Sequence, residues 1–252
     1  MRVLVVAAHP DDEVLGCGGT VARWAEEGRE IGVWILGEGV TSRYETRQAG
    51  TERGANDLAE VREHAARAAS ILGAAGCRVV GLPDNRFDSV DLLEVVKEVE
   101  SAKREFDPDV VLTHHPGDLN VDHRVCHQAV ATAFRPLPGE RWSKILSFEV
   151  SSSTEWQLPG AGSPFVPTEY VELAEGHMEK KLAAMAAYAG EIRDWPHARS
   201  REALRALAKS RGSQAGCALA EAFALERAVV RLSDQGKRPP PAMRGRHSRQ
   251  RN

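Results

Sequence analysis

The sequence lacks the features that direct a protein to membranes, nucleic acids or disulfide-forming compartments. No apolar run approaches the roughly 20 residues of a membrane-spanning helix, and no basic segment backed by an apolar one opens the chain, so we expect no secretory signal. The net charge is −3, so the chain as a whole does not attract nucleic acids or acidic membranes electrostatically. The four cysteines are far apart and form no C-x-x-C pair, which is typical of free thiols in a reducing cytoplasm.

The remaining composition is that of one ordinary globular domain. Of the 252 residues, 42% are hydrophobic and 27% are charged, which suits a single α/β domain over residues 1–233. Residues 234–252 differ: they contain three consecutive prolines, six Lys or Arg residues and one Asp, a net charge of +5 that leaves −8 for the rest of the chain. This composition predicts a basic, disordered C-terminal tail.

Short apolar runs alternate with longer helical patterns along the chain. The predicted strands are residues 3–8, 31–36, 77–82, 110–113, 144–150 and 170–173. The predicted helices are residues 15–27, 58–72, 90–106, 125–134, 177–192, 200–209 and 218–228. Strands separated by helices of this length need crossover connections, so the sequence predicts a Rossmann-like three-layer α/β/α sandwich with a mostly parallel central sheet.

The first chemically informative stretch directly follows the first predicted strand. His9 and Pro10 are followed by Asp11, Asp12 and Glu13. Three adjacent acids repel one another unless a cation or a helix N-terminus stabilises them. A helix cap accounts for one aspartate, whereas the spacing of His9 and Asp12 lets an imidazole and a carboxylate share one divalent metal ion.

The second informative stretch follows the fourth predicted strand, where three of the nine histidines and two aspartates fall within ten residues. Ligands bind at the carboxyl ends of parallel strands. The residues expected to border one crevice are His9, Glu38, Asp84 and His114. His123, near the start of the next helix, is expected to add a third metal ligand. Two histidines and one carboxylate, with room for water, are typical of a hydrolytic rather than a structural metal site.

Two polar segments are predicted to be long loops near this crevice. Residues 37–56 are interpreted as an active-site flap, with a solvated excursion as the alternative. Residues 151–154 and the Pro- and Gly-rich residues 159–167 form a second loop that can close over a substrate.

The stretch Ala8-His9-Pro10-Asp11-Asp12-Glu13, with the downstream Asp122-His123, resembles the PIG-L/LmbE family of zinc-dependent N-acetylglucosaminyl deacetylases. Further similar motifs are Leu82-Pro83-Asp84, Asp107-Pro108-Asp109, Lys180-Lys181, Tyr188, Arg199-Ser200, Arg211-Gly212-Ser213 and Ala220-Glu221-Ala222-Phe223. The resemblance covers most of the chain. It implies that His9, Asp12 and His123 bind Zn²⁺, that Asp11 is the general base, and that the substrate is a small N-acetyl sugar or its conjugate.

One position departs from the family pattern. Many members carry a histidine three residues before the last zinc ligand, thought to stabilise the oxyanion or protonate the leaving amine, and this chain has Asn120 there. An amide can donate a hydrogen bond to an oxyanion but cannot be a general acid near neutral pH. Either Asp11 carries the proton alone or another group contributes. His197 is the first candidate, and His114 and His115 are others.

Four further side chains are predicted to contact the substrate: Arg62, Asp84, Asn85 and Arg199. Each is equally well explained as a turn residue or a surface ion pair. The reaction that the resemblance implies is hydrolysis of an N-acetyl group to acetate and a free amine, with zinc activating water and Asp11 accepting its proton. A homo-oligomer is compatible with the sequence.

Three other functions fit parts of the sequence. An amidase of the same metal type, acting on a thiol conjugate or a natural product, would differ only in its pocket. A dinucleotide-binding Rossmann protein would use Gly16-Cys17-Gly18-Gly19 and Glu38, but Val21 stands where the G-x-G-x-x-G turn needs its third glycine. A protein that only binds the metal would leave Asp11 without a role.

Overall fold

The computed structural model describes residues 1–40, 47–188 and 190–232, apart from the side chains of residues 47–56. A seven-stranded sheet runs through the molecule. Its strands are β1 Arg2–Ala7, β2 Glu30–Gly37, β3 Gly76–Leu82, β4 Val110–His114, β5 Lys144–Phe148, β6 Glu169–Glu172 and β7 Ala220–Ala228. Their spatial order is β3-β2-β1-β4-β5-β7-β6. The first five strands in this order are parallel, and β7 is antiparallel to both of its neighbours, which confirms the predicted mostly parallel sheet.

Helices cover both faces of the sheet. They are α1 Asp12–Glu26, α2 Arg47–Leu72, α3 Leu92–Phe106, α4 Val121–Ala133, α5 Glu175–Met185 and α6 Arg201–Ala215. Alternate residues of β1 point to opposite cores: Val3 and Val5 pack with residues of α1, α2, α5 and α6, whereas Leu4 and Val6 pack with residues of α3 and α4. This alternation confirms the predicted three-layer sandwich. Among the described helices, none has both the length and the apolar character that crossing a bilayer requires.

The strand order fixes where a ligand can bind. The chain proceeds outward from β1 through β2 to β3, and then returns to place β4 on the other side of β1. The loops that follow β1 and β4 therefore leave the sheet in opposite directions and open a crevice between them. His9 lies just beyond the end of β1, and His114 ends β4, so both informative stretches of the sequence meet at this crevice.

Two predicted elements have the wrong type of structure, and the predicted helix over residues 177–192 is too long, since α5 ends at Met185. The sequence predicts a helix over residues 218–228, but residues 220–228 form β7, because pairing with β5 and β6 outweighs the helix preference of Ala and Glu. The predicted loop over residues 37–56 is wrong in its second half, since α2 begins at Arg47. Residues 41–46 of that loop and residues 233–252, which include the predicted tail, lie outside the described residues.

The glycines after β1 do not form a phosphate-binding turn. They lie inside α1, where a Cβ on Gly16 would come within 2.2 Å of the Phe148 ring, and a Cβ on Gly19 within 2.5 Å of Leu173. These glycines let the helix approach its neighbours closely, so the dinucleotide-binding interpretation is wrong.

A buried ion pair forms hydrogen bonds to the backbone groups that a kink in α1 leaves without helical partners. Cys17 has non-helical angles of φ −148° and ψ 16°, and a regular helix would join the Leu15 carbonyl to the Gly19 N–H. Here Lys181 Nζ donates to the Leu15 carbonyl at 2.8 Å, and Glu221 accepts from the Gly19 N–H at 2.9 Å. Lys181 and Glu221 also pair with each other at 2.6 Å. The pair therefore satisfies both backbone groups at the kink.

We expect Glu221→Ala to lower the free energy of unfolding by about 3–5 kcal/mol, because it leaves Lys181 buried and unpaired. The measurement is urea denaturation followed by circular dichroism. Glu27→Ala is the matched control, since Glu27 forms exposed pairs with Arg23 and Arg29 and should cost only about 0–1 kcal/mol. Equal costs for the two variants would show that the pair does not stabilise the kink.

Candidate metal centre and active-site cavity

The loop between β1 and α1 presents its aspartates in two different ways. Asp11 has left-handed angles of φ 101° and ψ −26°, and its side chain makes no capping hydrogen bond to α1. Asp12 begins the helix and turns back, so that its Oδ2 accepts the His9 N–H at 2.8 Å. The helix-cap interpretation therefore does not explain Asp11, and the two carboxylates are free to take separate roles.

Three potential metal ligands converge at this point. Asp12 Oδ2 lies 3.2 Å from His9 Nδ1 and 3.2 Å from His123 Nε2, and the two ring nitrogens are 3.3 Å apart. Zinc–ligand bonds of about 2.0–2.1 Å in a tetrahedron place the ligand atoms roughly 3.3–3.4 Å apart. The spacing of the three atoms therefore fits one tetrahedral divalent ion, and three protein ligands would leave one position for water or substrate.

Each of these histidines has a carboxylate at its second ring nitrogen. His9 Nε2 lies 2.9 Å from Asp122 Oδ2, and Asp122 is itself fixed by the Phe87 N–H. His123 Nδ1 lies 3.1 Å from Asp118 Oδ1. Carboxylates in this position orient a ligating imidazole and increase its basicity. Burial acts to lower the pKa of His123, but Asp12 and Asp118 outweigh it and raise that pKa to about 9.

His114 packs against the candidate metal ligand His123 and does not line the cavity. Its Nε2 accepts the Ala8 N–H at 2.7 Å, and its ring stacks on His123 at a centroid distance of 4.0 Å. Burial and the neighbouring His123 lower the pKa of His114 well below its usual value, which agrees with a neutral ring that accepts a hydrogen bond.

Asp11 lies beside the convergent ligands but contacts other groups. Its Oδ2 pairs with Arg199 Nη1 at 2.6 Å, and its backbone N–H donates to Glu13 Oε2 at 3.1 Å. Burial raises the pKa of Asp11 well above its usual range, against the opposing effect of Arg199. Burial likewise raises the pKa of Glu13 to about 7, although Tyr188 donates a hydrogen bond to it. Asp11 is therefore a buried carboxylate with a raised pKa beside a candidate metal site, and such a group is suited to proton transfer.

A polar cavity of about 200 Å³ opens onto these groups. It is lined by His9, Pro10, Asp11, Gly39, Asp84, Asn85, Asn120, His123, Ser152, Ser153, Glu191 and Arg199. Three of the lining residues other than glycine have positive φ, namely Asp11, Asn85 and Ser152, at 101°, 52° and 70°. Such backbone conformations cost energy and are concentrated at functional sites.

The cavity contains some predicted site residues and not others. His9, Asp84, Asn85 and Arg199 reach it, and so does Asn120, which caps α4 and donates to Asn85 Oδ1 at 2.9 Å. The predicted residues that are not among the described lining residues are Asp12, Glu38, Arg62, His114, His115 and His197. Arg62 lies on an exposed part of α2. His115 bonds to the Ser163 carbonyl, and His197 packs against Trp156.

Several site residues are not among those predicted from the sequence. Asp118 binds the hydroxyls of Ser153 and Thr154 and faces His123, so it joins a metal-ligand candidate to the loop after β5. Ser152 and Glu191 enter the cavity through their contacts with Arg199. Asp118 lies in the dense His and Asp stretch, and that density is a signal that could have identified it.

We expect Asp118→Asn to weaken metal affinity about 10- to 100-fold, because the amide cannot orient His123 as the carboxylate does. The measurement is competition with a zinc chelator, followed by metal analysis. Asp88→Asn, on an exposed turn, makes the same chemical change outside the cavity and should leave affinity unchanged. Unchanged affinity in Asp118→Asn would contradict the orienting role.

The fold and the donor set define a class: an α/β sandwich with a candidate catalytic divalent-metal site at the carboxyl ends of its parallel strands. The profile of the PIG-L family, described as GlcNAc-PI de-N-acetylase, matches residues 4–134. The chain belongs to this family, as the sequence motifs predict.

One similar protein supports this membership, and two solved structures share the fold. The 1D-myo-inositol 2-acetamido-2-deoxy-alpha-D-glucopyranoside deacetylase of Rhodococcus erythropolis is 31% identical over 239 residues, covering 76% of this chain and 81% of that protein. The N,N'-diacetylchitobiose deacetylase of Pyrococcus horikoshii has a TM-score of 0.68 at 21% identity, covering 89% and 83% of the two chains. The 4-carboxy-2-hydroxymuconate hydratase GalB of Pseudomonas putida has a TM-score of 0.70 at 24% identity, covering 92% and 98%. At such identities the two structures show a shared fold, and a hydratase among them means that the fold alone does not define the reaction.

Proposed function

We propose that the protein is a zinc-dependent N-deacetylase that removes the acetyl group from an N-acetylglucosamine-type sugar or sugar conjugate. The observation that carries the proposal is the convergence of His9 Nδ1, Asp12 Oδ2 and His123 Nε2 beside a carboxylate, Asp11, that does not take part in it. Family membership and the named activity of the Rhodococcus relative support the same reaction.

In this proposal His9, Asp12 and His123 hold the metal, and Asp11 moves the proton. Zinc bound there would lower the pKa of a water molecule and polarise the acetyl carbonyl. Asp11 Oδ2 is occupied by Arg199, so Oδ1 is the atom that accepts the proton of the attacking water. As the C–N bond breaks, the same carboxyl group returns the proton to the amine nitrogen, since Asn120 has no acidic proton to give.

The cavity supports a sugar-sized substrate. Its volume of about 200 Å³ is below the roughly 300–1,000 Å³ of typical ligand pockets, so we propose that it holds one acetamido-sugar ring while any conjugated group extends outside. Asp84 and Asn85 line it with acceptors and donors suited to sugar hydroxyls. Asn120 uses one N–H for Asn85, and its second N–H can donate to the developing oxyanion.

The test is acetate release from a panel of N-acetylglucosamine conjugates by the full chain, with metal content determined on the same sample. We expect activity with one metal ion per chain, loss of activity with a chelator, and recovery on adding zinc. Metal without acetate release from any sugar would favour an amidase of the same metal type. No bound metal and no activity with added zinc would overturn the proposal.

A further inference from the structure

Arg199 is the only Lys or Arg among the described residues that line the cavity. It lies outside the segment that matches the family profile, and the sequence predicts it to contact the substrate. In the structure its Nη1 instead lies 2.6 Å from Asp11 Oδ2. We infer that Arg199 is a positioning residue that fixes the Asp11 carboxylate for proton transfer. This inference rests on the proposed function.

Asp11 needs such a partner because little else holds its side chain. The residue has a left-handed φ of 101° and makes no side-chain bond to the end of α1. Arg199 is the only described side chain that forms a hydrogen bond to the Asp11 carboxylate. By occupying Oδ2 it restricts rotation of the carboxylate and leaves Oδ1 for the reacting water.

Arg199 also forms hydrogen bonds to groups other than Asp11, and these bonds fix its position. Its Nη1 also binds Glu191 Oε2 at 2.9 Å, and its Nε donates to Ser152 Oγ at 2.7 Å. Its backbone N–H donates to His197 Nδ1 at 3.1 Å. A planar guanidinium fixed at these points loses little freedom when it binds one more carboxylate.

These contacts connect three separate parts of the chain, the first of which is the loop after β1 that carries Asp11. Ser152 belongs to the loop after β5, and Glu191 and Arg199 belong to the segment between α5 and α6. The same loop after β5 binds Asp118 through Ser153, and Asp118 faces His123. The loop therefore contacts both the residue that pairs with Asp11 and the residue that faces His123. A shift of about 1 Å in the position of a catalytic group can cost about 10²-fold in rate.

The first test compares Arg199→Gln, Arg199→Lys and the matched control Arg205→Gln, which breaks exposed pairs with Glu175 and Glu179 on a neighbouring helix. We expect Arg199→Gln to lower kcat about 100-fold with KM and metal content nearly unchanged. Arg199→Lys should lose less activity, and Arg205→Gln should match the wild type. A raised KM with an unchanged kcat would overturn the inference in favour of substrate contact.

Chemical rescue separates positioning from a general loss of structure. Added guanidinium should restore part of the activity of Arg199→Ala, because it can fill the space beside Asp11. It should not restore the double variant with Asp11→Asn, which lacks the carboxylate. Equal rescue of both variants, or loss of metal from Arg199→Ala, would overturn the inference.

Crystal structures of the metal-loaded wild type and Arg199→Gln test the inference without any substrate. We expect the Asp11 carboxylate of the variant to leave its wild-type position while His9, Asp12 and His123 stay in place. An unmoved Asp11 overturns the inference. If the wild type releases no acetate from any sugar, the proposed function fails, and these structures still decide the role of Arg199.

Discussion

Asp11→Asn is expected to lower kcat for acetate release by roughly 10²- to 10⁴-fold while the protein keeps its metal. The asparagine amide has almost the same shape as the carboxylate, and its oxygen can still accept a hydrogen bond from Arg199. It cannot accept a proton from water or return one to the amine. Because Asp11 is not one of the three convergent donors, its replacement should leave metal affinity unchanged.

The measurement pairs the acetate assay with metal analysis of the same sample, and Asp88→Asn serves as a control for the chemical change. Asp88 is exposed on the turn before α3, so its variant should behave as the wild type does. Loss of metal in Asp11→Asn would mean that Asp11 is a ligand. Unchanged kcat with metal retained would mean that another group takes the proton.

The central part of the fold could be predicted because it depends on local patterns. Strands such as β1 are apolar on both faces, since Val3 and Leu4 point to opposite cores. The error at β7 has a different origin. Residues 220–228 include Ala220, Glu221 and Ala222, which favour helices, and their strand conformation depends on pairing with Phe148 and Tyr170 far away in the sequence.

The candidate metal site could be predicted for a related reason. His9 and Asp12 are close in sequence, and His123 follows the strand that lies next to β1, so strand order alone brings them together. The pairing of Asp11 with Arg199 spans 188 residues and depends on how the segment between α5 and α6 folds back. No periodicity or spacing encodes that return, so the sequence predicts a substrate contact for Arg199 and gives no sign of its ion pair with Asp11.

His123→Ala is expected to lower metal affinity at least about 100-fold, since removing a ligand should cost no less than disturbing its orientation. Activity should fall with the metal and should not recover on adding zinc at concentrations that saturate the wild type. Zinc should raise the Tm of the wild type, because it binds only the folded state, and should not raise the Tm of His123→Ala. His64→Ala, on α2 beside Glu60, is the matched control.

A further variant decides between two possible groupings of ligands. His9 also lies near Asp84 and Asp122, which meet its Nε2 and form a second potential metal group. The grouping with Asp12 and His123 predicts that His123→Ala loses the metal and Asp84→Asn keeps it. The grouping with Asp84 and Asp122 predicts the reverse. Metal retained by His123→Ala and lost by Asp84→Asn would place the ion at Nε2 of His9 instead of Nδ1. The assignment of Asp122 as the residue that orients His9 would then be wrong.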